Sequence, residues 1–134
     1  MALAVEDRVA IADLINMHGH LADSGQLDRM AELFTHDVTY DLSDLGLGVL
    51  VGRSALLELT YSLGDNHPVG HHVTNIVLTE VSDDEVRAES KAIAIMADGR
   101  CGSAVYHDTA TRGENGWRIS RRAILGRRAP LGKG

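Results

Sequence analysis

The chain has 134 residues, of which 44% are hydrophobic, and a formal net charge of −6 at pH 7. This length suits a single domain spanning residues 1–134, and the negative charge argues against a dedicated nucleic-acid-binding protein. The sequence contains no apolar run near the roughly 20 residues that a membrane-spanning helix needs, and its single cysteine excludes an intrachain disulfide. Because the first residues lack the pattern of a signal peptide, we expect a cytoplasmic protein.

The first half of the sequence predicts three helices around one short strand. Apolar residues recur at spacings of three and four over 5–22, 27–34 and 54–63, as they do on the buried faces of amphipathic helices. Residues 38–42 alternate between apolar and polar side chains and predict a strand. The glycine-containing segment 43–52 predicts a loop or a weak hairpin.

The second half predicts a long antiparallel meander. Period-two alternation predicts strands at 72–81, 84–97, 100–111 and 116–127, separated by turns that include Asp-Gly and Asn-Gly. Helices that cover one face of such a sheet give an α+β domain.

Strand alternation also predicts which side chains point toward the helices. In the first strand of the meander, His72 shares a face with Ile76 and Leu78, so we expect its imidazole to point toward the helices. The next strand presents mostly small side chains on one face, which leaves room for a cavity. Its opposite face becomes apolar at Ile93 and Ile95, which predicts a homodimer formed through the sheet.

Six motifs carry a family resemblance that covers roughly residues 5–125. They are IADL (11–14), ADSGQLD (22–28), LFTHDV (33–38), VGRSAL (51–56), HHVTN (71–75) and GWRISRR (116–122). In this order they resemble the SnoaL-like proteins of the nuclear-transport-factor-2-like superfamily. The resemblance implies a cone-shaped barrel, in which a curved antiparallel or mixed sheet is closed by three N-terminal helices around a pocket.

Asp23, at the end of the first helix, and His72, at the start of a strand, are the candidate catalytic residues. The resemblance implies this pair, since dehydratases and a dehydrochlorinase of the superfamily are similar in using an Asp and a His at these places. If the fold brings the two together, the carboxylate holds one ring nitrogen while the other accepts a C–H proton near neutral pH. A turn-forming Asp and a structural His are the alternative interpretation.

Six further residues are expected to line the pocket. His20 lies on nearly the same helix face as Asp23, and Asn16 lies one turn earlier. His18, on the opposite side of the helix, is expected at the surface or at an interface. Tyrosines are included because a hydroxyl can donate to a substrate oxygen, although packing is their commoner role. The predicted lining residues are Asn16, His20, Tyr40, Tyr61, Met96 and Ser103.

These features predict a cofactor-independent lyase of the dehydratase type, or an isomerase, acting on a small hydrophobic cyclic compound. A SnoaL-like polyketide cyclase and a non-catalytic small-molecule-binding or assembly domain are the alternatives. No metal is expected, because the neighbouring His71 and His72 point to opposite faces of a strand and cannot easily share an ion. The expected partners are a small hydrophobic ligand and a second copy of the chain, with no nucleic acid and no membrane.

Overall fold

Helices cover one face of a six-stranded mixed sheet in the computed structural model, which describes residues 3–133. The helical segments are α1 (Val5–Asp23), α2 (Arg53–Leu63) and a 3₁₀ helix (Leu27–Glu32), with single 3₁₀ turns at Ser43–Leu45, Gly64–Asn66 and Pro130–Gly132. The strands are β1 (Phe34–Asp41), β2 (Val49–Val51), β3 (Gly70–Ser82), β4 (Glu85–Ile95), β5 (Cys101–Gly113) and β6 (Gly116–Arg127).

The strands lie in the order β2-β1-β6-β5-β4-β3. Among the strands of the described residues, β1 and β6 are parallel neighbours and the other adjacent pairs are antiparallel. The α+β class is therefore confirmed, but the predicted barrel is wrong for the described residues. The sheet ends at β2 and β3, which do not pair, and β2 is too short to extend around the core.

Residues 3–133 contain two α-helices rather than three. The segment predicted as helix 27–34 is a 3₁₀ helix that ends at Glu32, and Phe34 already belongs to β1. Its neighbour Leu33 accepts a backbone hydrogen bond from Ile119 at 2.7 Å, which draws the chain into the sheet beside β6. This pairing with a distant strand explains why β1 begins four residues before the predicted strand.

Helix α1 packs closely against the start of β3. Its buried face carries Ile11, Leu14, Ile15 and Leu21. At Gly19 the helix comes so near to the sheet that an added Cβ would overlap the carbonyl oxygen of His71. This close approach places the last turn of α1 directly beside the first residues of β3.

A β-bulge in β3 changes which side chains face the helices. Asn75 adopts the left-handed conformation with φ of 57°, and the register with β4 shifts between Thr74 and Val77. The bulge inserts one extra residue, so His71 faces the helices before it and Ile76 faces them after it. The prediction that His72 shares the covered face with Ile76 is therefore wrong, because it assumed an uninterrupted alternation.

Candidate active site

A cavity of about 170 Å³ lies between the helices and the sheet. Its walls are mainly leucine, contributed by α2, by the 3₁₀ segments and by the residues between β1 and β2. Three histidines and two tyrosines interrupt this apolar surface. The aliphatic lining includes Leu27, Leu42, Leu45, Leu47, Leu56, Leu57, Leu59 and Leu63, and the polar lining includes His18, His67, His71, Tyr40 and Tyr106.

Asp23 and His71 form a carboxylate–imidazole pair at the wall of this cavity. Nδ1 of His71 lies 2.6 Å from Oδ1 of Asp23, and the backbone N–H of His71 donates to Oδ2 at 2.9 Å. The side chains are 12% exposed for His71 and 27% exposed for Asp23. Because an ionised carboxylate only accepts, Nδ1 of the neutral ring carries the hydrogen, and Nε2 keeps a free lone pair.

The local backbone explains how the two groups meet. Helix α1 ends at Asp23, and Gly25 follows with φ of 72°, so the chain turns away and leaves the carboxylate at the end of the helix. Gly19 lets that end approach β3, and both carboxylate oxygens are then within reach of one residue, His71. The double hydrogen bond fixes the position of the carboxylate relative to the ring.

His72 does not take part in this pair. It lies on the exposed face of β3, opposite to His71, and both oxygens of Asp23 bind His71. The predicted partner is thus off by one residue. The bulge at Asn75 is the physical reason, since one extra residue reverses every face that precedes it.

His18 is a cavity residue that the sequence reasoning placed wrongly. Its ring is buried, at a centroid distance of 5.7 Å from Phe34 and 6.0 Å from His71. Burial lowers the pKa of His18 well below its usual value, and the positive charge of Arg122 acts in the same direction. A signal was available, because His18 continues the apolar i, i+4, i+7 row of Ile11 and Ile15.

His67 supplies a third imidazole, at a centroid distance of 5.2 Å from His71. Its Nδ1 donates to the carbonyl oxygen of Pro68 at 3.2 Å, which leaves Nε2 free. Burial and the neighbouring His71 lower the pKa of His67. Within residues 3–133, no three His, Cys, Asp or Glu side chains are arranged to hold a metal ion.

A fully buried ion pair supports the tyrosines of the cavity. Nε and Nη2 of Arg122 donate to the two carboxylate oxygens of Asp108 at 2.7 and 2.9 Å. The guanidinium carbon lies 4.3 Å from the ring centroid of Tyr106. Counting back from the β5–β6 turn would pair Asp108 with Arg121, but a register shift at Thr109 moves the partner to Arg122. Neither residue was included in the site predicted from the sequence.

Of the six residues predicted to line the pocket, one lies in the cavity wall and five lie outside it. Tyr40, on β1, lies in the cavity wall. Asn16 and His20 are exposed because they lie on the solvent side of α1, and Tyr61 is exposed on α2. The two remaining residues also lie outside the lining: Met96 is in the turn after β4, and Ser103 is exposed near the start of β5. The positions expected for these five residues are corrected accordingly.

Comparison with known proteins places this site in a family context. Residues 4–123 match the model of a SnoaL-like domain. The small subunit of anthranilate 1,2-dioxygenase from Burkholderia cepacia is 26% identical over 126 residues, which cover 80% of this chain and 78% of that protein. An NTF2-like protein with a cystatin-like fold from Novosphingobium aromaticivorans is 27% identical, with a TM-score of 0.78 over 95% of this chain and 86% of that one.

A third relative is a hexachlorocyclohexane dehydrochlorinase, LinA-type3, from Novosphingobium barchaimii. It superposes with a TM-score of 0.77 over 93% of this chain and 92% of its own, at 23% identity. Identity at this level shows a common fold. Within the part of the chain that the structure describes, no helix is long and apolar enough to cross a membrane.

Proposed function

Because the chain belongs to the SnoaL-like domain family, we propose that it is a cofactor-independent lyase of the dehydratase type, or an isomerase, for a small hydrophobic cyclic compound. The observation that carries this proposal is the 2.6 Å contact between Asp23 and Nδ1 of His71 at the edge of an apolar cavity. It leaves one imidazole nitrogen free to act on a bound molecule.

In the proposed reaction, Nε2 of His71 takes a proton from a ring carbon of the substrate. The resulting imidazolium is stabilised by the Asp23 carboxylate, which also holds the ring in the reactive tautomer. The electron pair of the broken C–H bond then forms a double bond. Either a leaving group departs, which is elimination, or His71 returns the proton to another carbon, which is isomerisation.

The pair is tested with Asp23→Asn and His71→Gln, with His72→Gln as the matched control on the exposed face. The substrate panel consists of cyclic halides and cyclic alcohols, and it includes hexachlorocyclohexane because one structural relative bears that name. We expect Asp23→Asn and His71→Gln to lower kcat/KM by about 10²–10⁴-fold. His72→Gln should change it less than about twofold. Unchanged turnover in Asp23→Asn would remove the assignment.

A second candidate function is that of a non-catalytic subunit in an aromatic-ring dioxygenase. The similarity to the anthranilate 1,2-dioxygenase small subunit favours it. In that case the purified chain retains ring compounds without converting any of them, and Asp23→Asn lowers thermal stability without a chemical effect. Formation of product by the isolated chain would favour the enzyme over the non-catalytic subunit.

We further propose that two copies associate through the outer face of the sheet. Val77 and Ile93 are exposed there, on the neighbouring strands β3 and β4. A cytoplasmic location is proposed because Cys101 is exposed and unpaired, which suits a reducing compartment.

A further inference from the structure

A second cavity lies at the surface beside the start of β1, away from the candidate active site. It measures about 290 Å³, and within residues 3–133 its lining shares no residue with that of the first cavity. The first residues of β1, the start of α2 and the turn between β5 and β6 form its walls. Arg53 and Arg118 both line it, so we call it the arginine groove. Two cationic side chains from different elements therefore meet in one surface groove.

Neither guanidinium group of the arginine groove forms an ion pair with a carboxylate of residues 3–133. Most other arginines do, among them Arg29, Arg112, Arg122 and Arg128. The chain carries 19 acidic side chains against 13 Lys and Arg, so carboxylates are not scarce. Glu114 lines the groove without pairing with either arginine, and both Arg53 and Arg118 are half-buried. Their positive charge is therefore partly removed from water and lacks a directly bound counter-charge.

Several N–H donors of the two guanidinium groups have no acceptor within residues 3–133. In Arg53, Nη1 donates to two backbone carbonyl oxygens at 3.3 and 3.4 Å, and Nη2 donates to Nδ1 of His36 at 3.4 Å, so Nε stays without a partner. In Arg118, Nη1 donates to a neighbouring backbone carbonyl oxygen at 2.8 Å, and both Nε and Nη2 stay without partners. In the same chain, Nε and Nη2 of Arg122 hold both carboxylate oxygens of Asp108. The unpartnered donors of the groove are therefore of the kind that binds an oxyanion.

We propose that the arginine groove binds the phosphate group of a small molecule, between the guanidinium groups of Arg53 and Arg118. One guanidinium already satisfies both oxygens of a carboxylate, as Arg122 does for Asp108. A phosphate group carries about −1.5 to −2 charges at pH 7 and has three acceptor oxygens, so it can engage two arginines at once. The side-chain amide of Asn115, on the turn that borders the groove, is a further donor. This site is independent of the proposed lyase or isomerase reaction.

The binding test titrates inorganic phosphate into the isotopically labelled full chain in a phosphate-free buffer. NMR signals of the arginine Nε–H groups and of residues 113–116 give the location of binding and the dissociation constant. We expect Arg53→Gln and Arg118→Gln each to weaken binding about 10-fold, because each removes a charge-assisted hydrogen bond.

Two further variants separate a local site from a general effect of charge. Glu114→Gln should tighten phosphate binding about two- to threefold, because it removes the carboxylate from the described lining of the groove. Arg87→Gln is the matched control, since Arg87 also lacks an ion pair within residues 3–133 but lies on β4, outside the groove. It should change the dissociation constant less than about twofold, because charges distant from the ligand are screened by salt.

Four results would overturn the proposal. They are the absence of saturable phosphate binding, signal changes outside the groove alone, equal weakening by Arg87→Gln and Arg118→Gln, and binding of acetate as tight as that of phosphate. The third result would mean that only the net charge of the protein matters, and the fourth that the groove does not select phosphate over a carboxylate. Arg53 also holds two backbone carbonyls, so thermal melting is used to identify any loss of folding in its variant. If that variant fails to fold, Arg118→Gln and Glu114→Gln decide.

Discussion

Removing one partner of the buried Arg122–Asp108 pair should strongly destabilise the protein. In Asp108→Asn the side chain keeps its shape, but the guanidinium loses its counter-charge while it stays fully buried. Breaking a buried pair in this way costs about 3–5 kcal/mol, because an uncompensated charge remains in the core. With a denaturant slope of about 1–3 kcal/mol per molar urea for a small domain, the midpoint should fall by about 2 M.

The assay is equilibrium unfolding in urea, followed by circular dichroism. The control is Glu32→Gln, which breaks the exposed Arg29–Glu32 pair and should leave the midpoint unchanged within error. The double variant Asp108→Leu/Arg122→Met removes both charges and should be more stable than Asp108→Asn. The reasoning is refuted if Asp108→Asn costs less than about 1 kcal/mol, or if the double variant is no more stable than Asp108→Asn.

Three further outcomes are expected. Gly19→Ala should push α1 away from the carbonyl of His71, destabilise the fold by about 1–3 kcal/mol and lower turnover. Melting curves measure the loss of stability, and the NMR signals of the His71 ring report the displacement. An unchanged ring environment would contradict this prediction. The free energy of unfolding should fall as the pH drops below about 6.5, because burial depresses the pKa of His18 in the folded state and the unfolded chain then binds more protons. Urea titrations from pH 7 to pH 5 test this. His18→Gln should make the free energy of unfolding less dependent on pH. Ile93→Lys should convert the proposed dimer into a monomer, with the mass measured by light scattering; an unaltered mass would rule out the outer sheet face as the interface.

Regular periodicity made much of the fold predictable. Helix α1 was expected at 5–22 and extends over Val5–Asp23, and α2 was expected at 54–63 and extends over Arg53–Leu63. The strand predicted at 116–127 has the bounds of β6. These elements carry their own pattern, since each has apolar residues at a regular spacing that pack toward the core. In contrast, β1 and β2 depend on pairing with distant segments, which local alternation does not encode.

The site was predicted less well than the fold. Five of the six predicted lining residues lie outside the cavity wall, because spacing alone does not fix how each element is rotated toward the core. Asp23 was identified because the end of α1 is visible in the sequence. Its partner was assigned to His72 because Asn75 interrupts β3. A single extra residue leaves little trace in a hydrophobic pattern, yet it exchanges the two faces of a strand.

The conformation of Asn75 selects which of two adjacent imidazoles meets the carboxylate. Asparagine tolerates a positive φ far better than a β-branched residue does. A valine at this position would favour a continuous strand without the bulge. If Ile76 stays inward, the regular alternation of that strand points His72 toward the helices and His71 toward solvent. Loss of the residue altogether would instead preserve His71 on the inner side, so substitution and deletion at one position have opposite consequences for the chemistry.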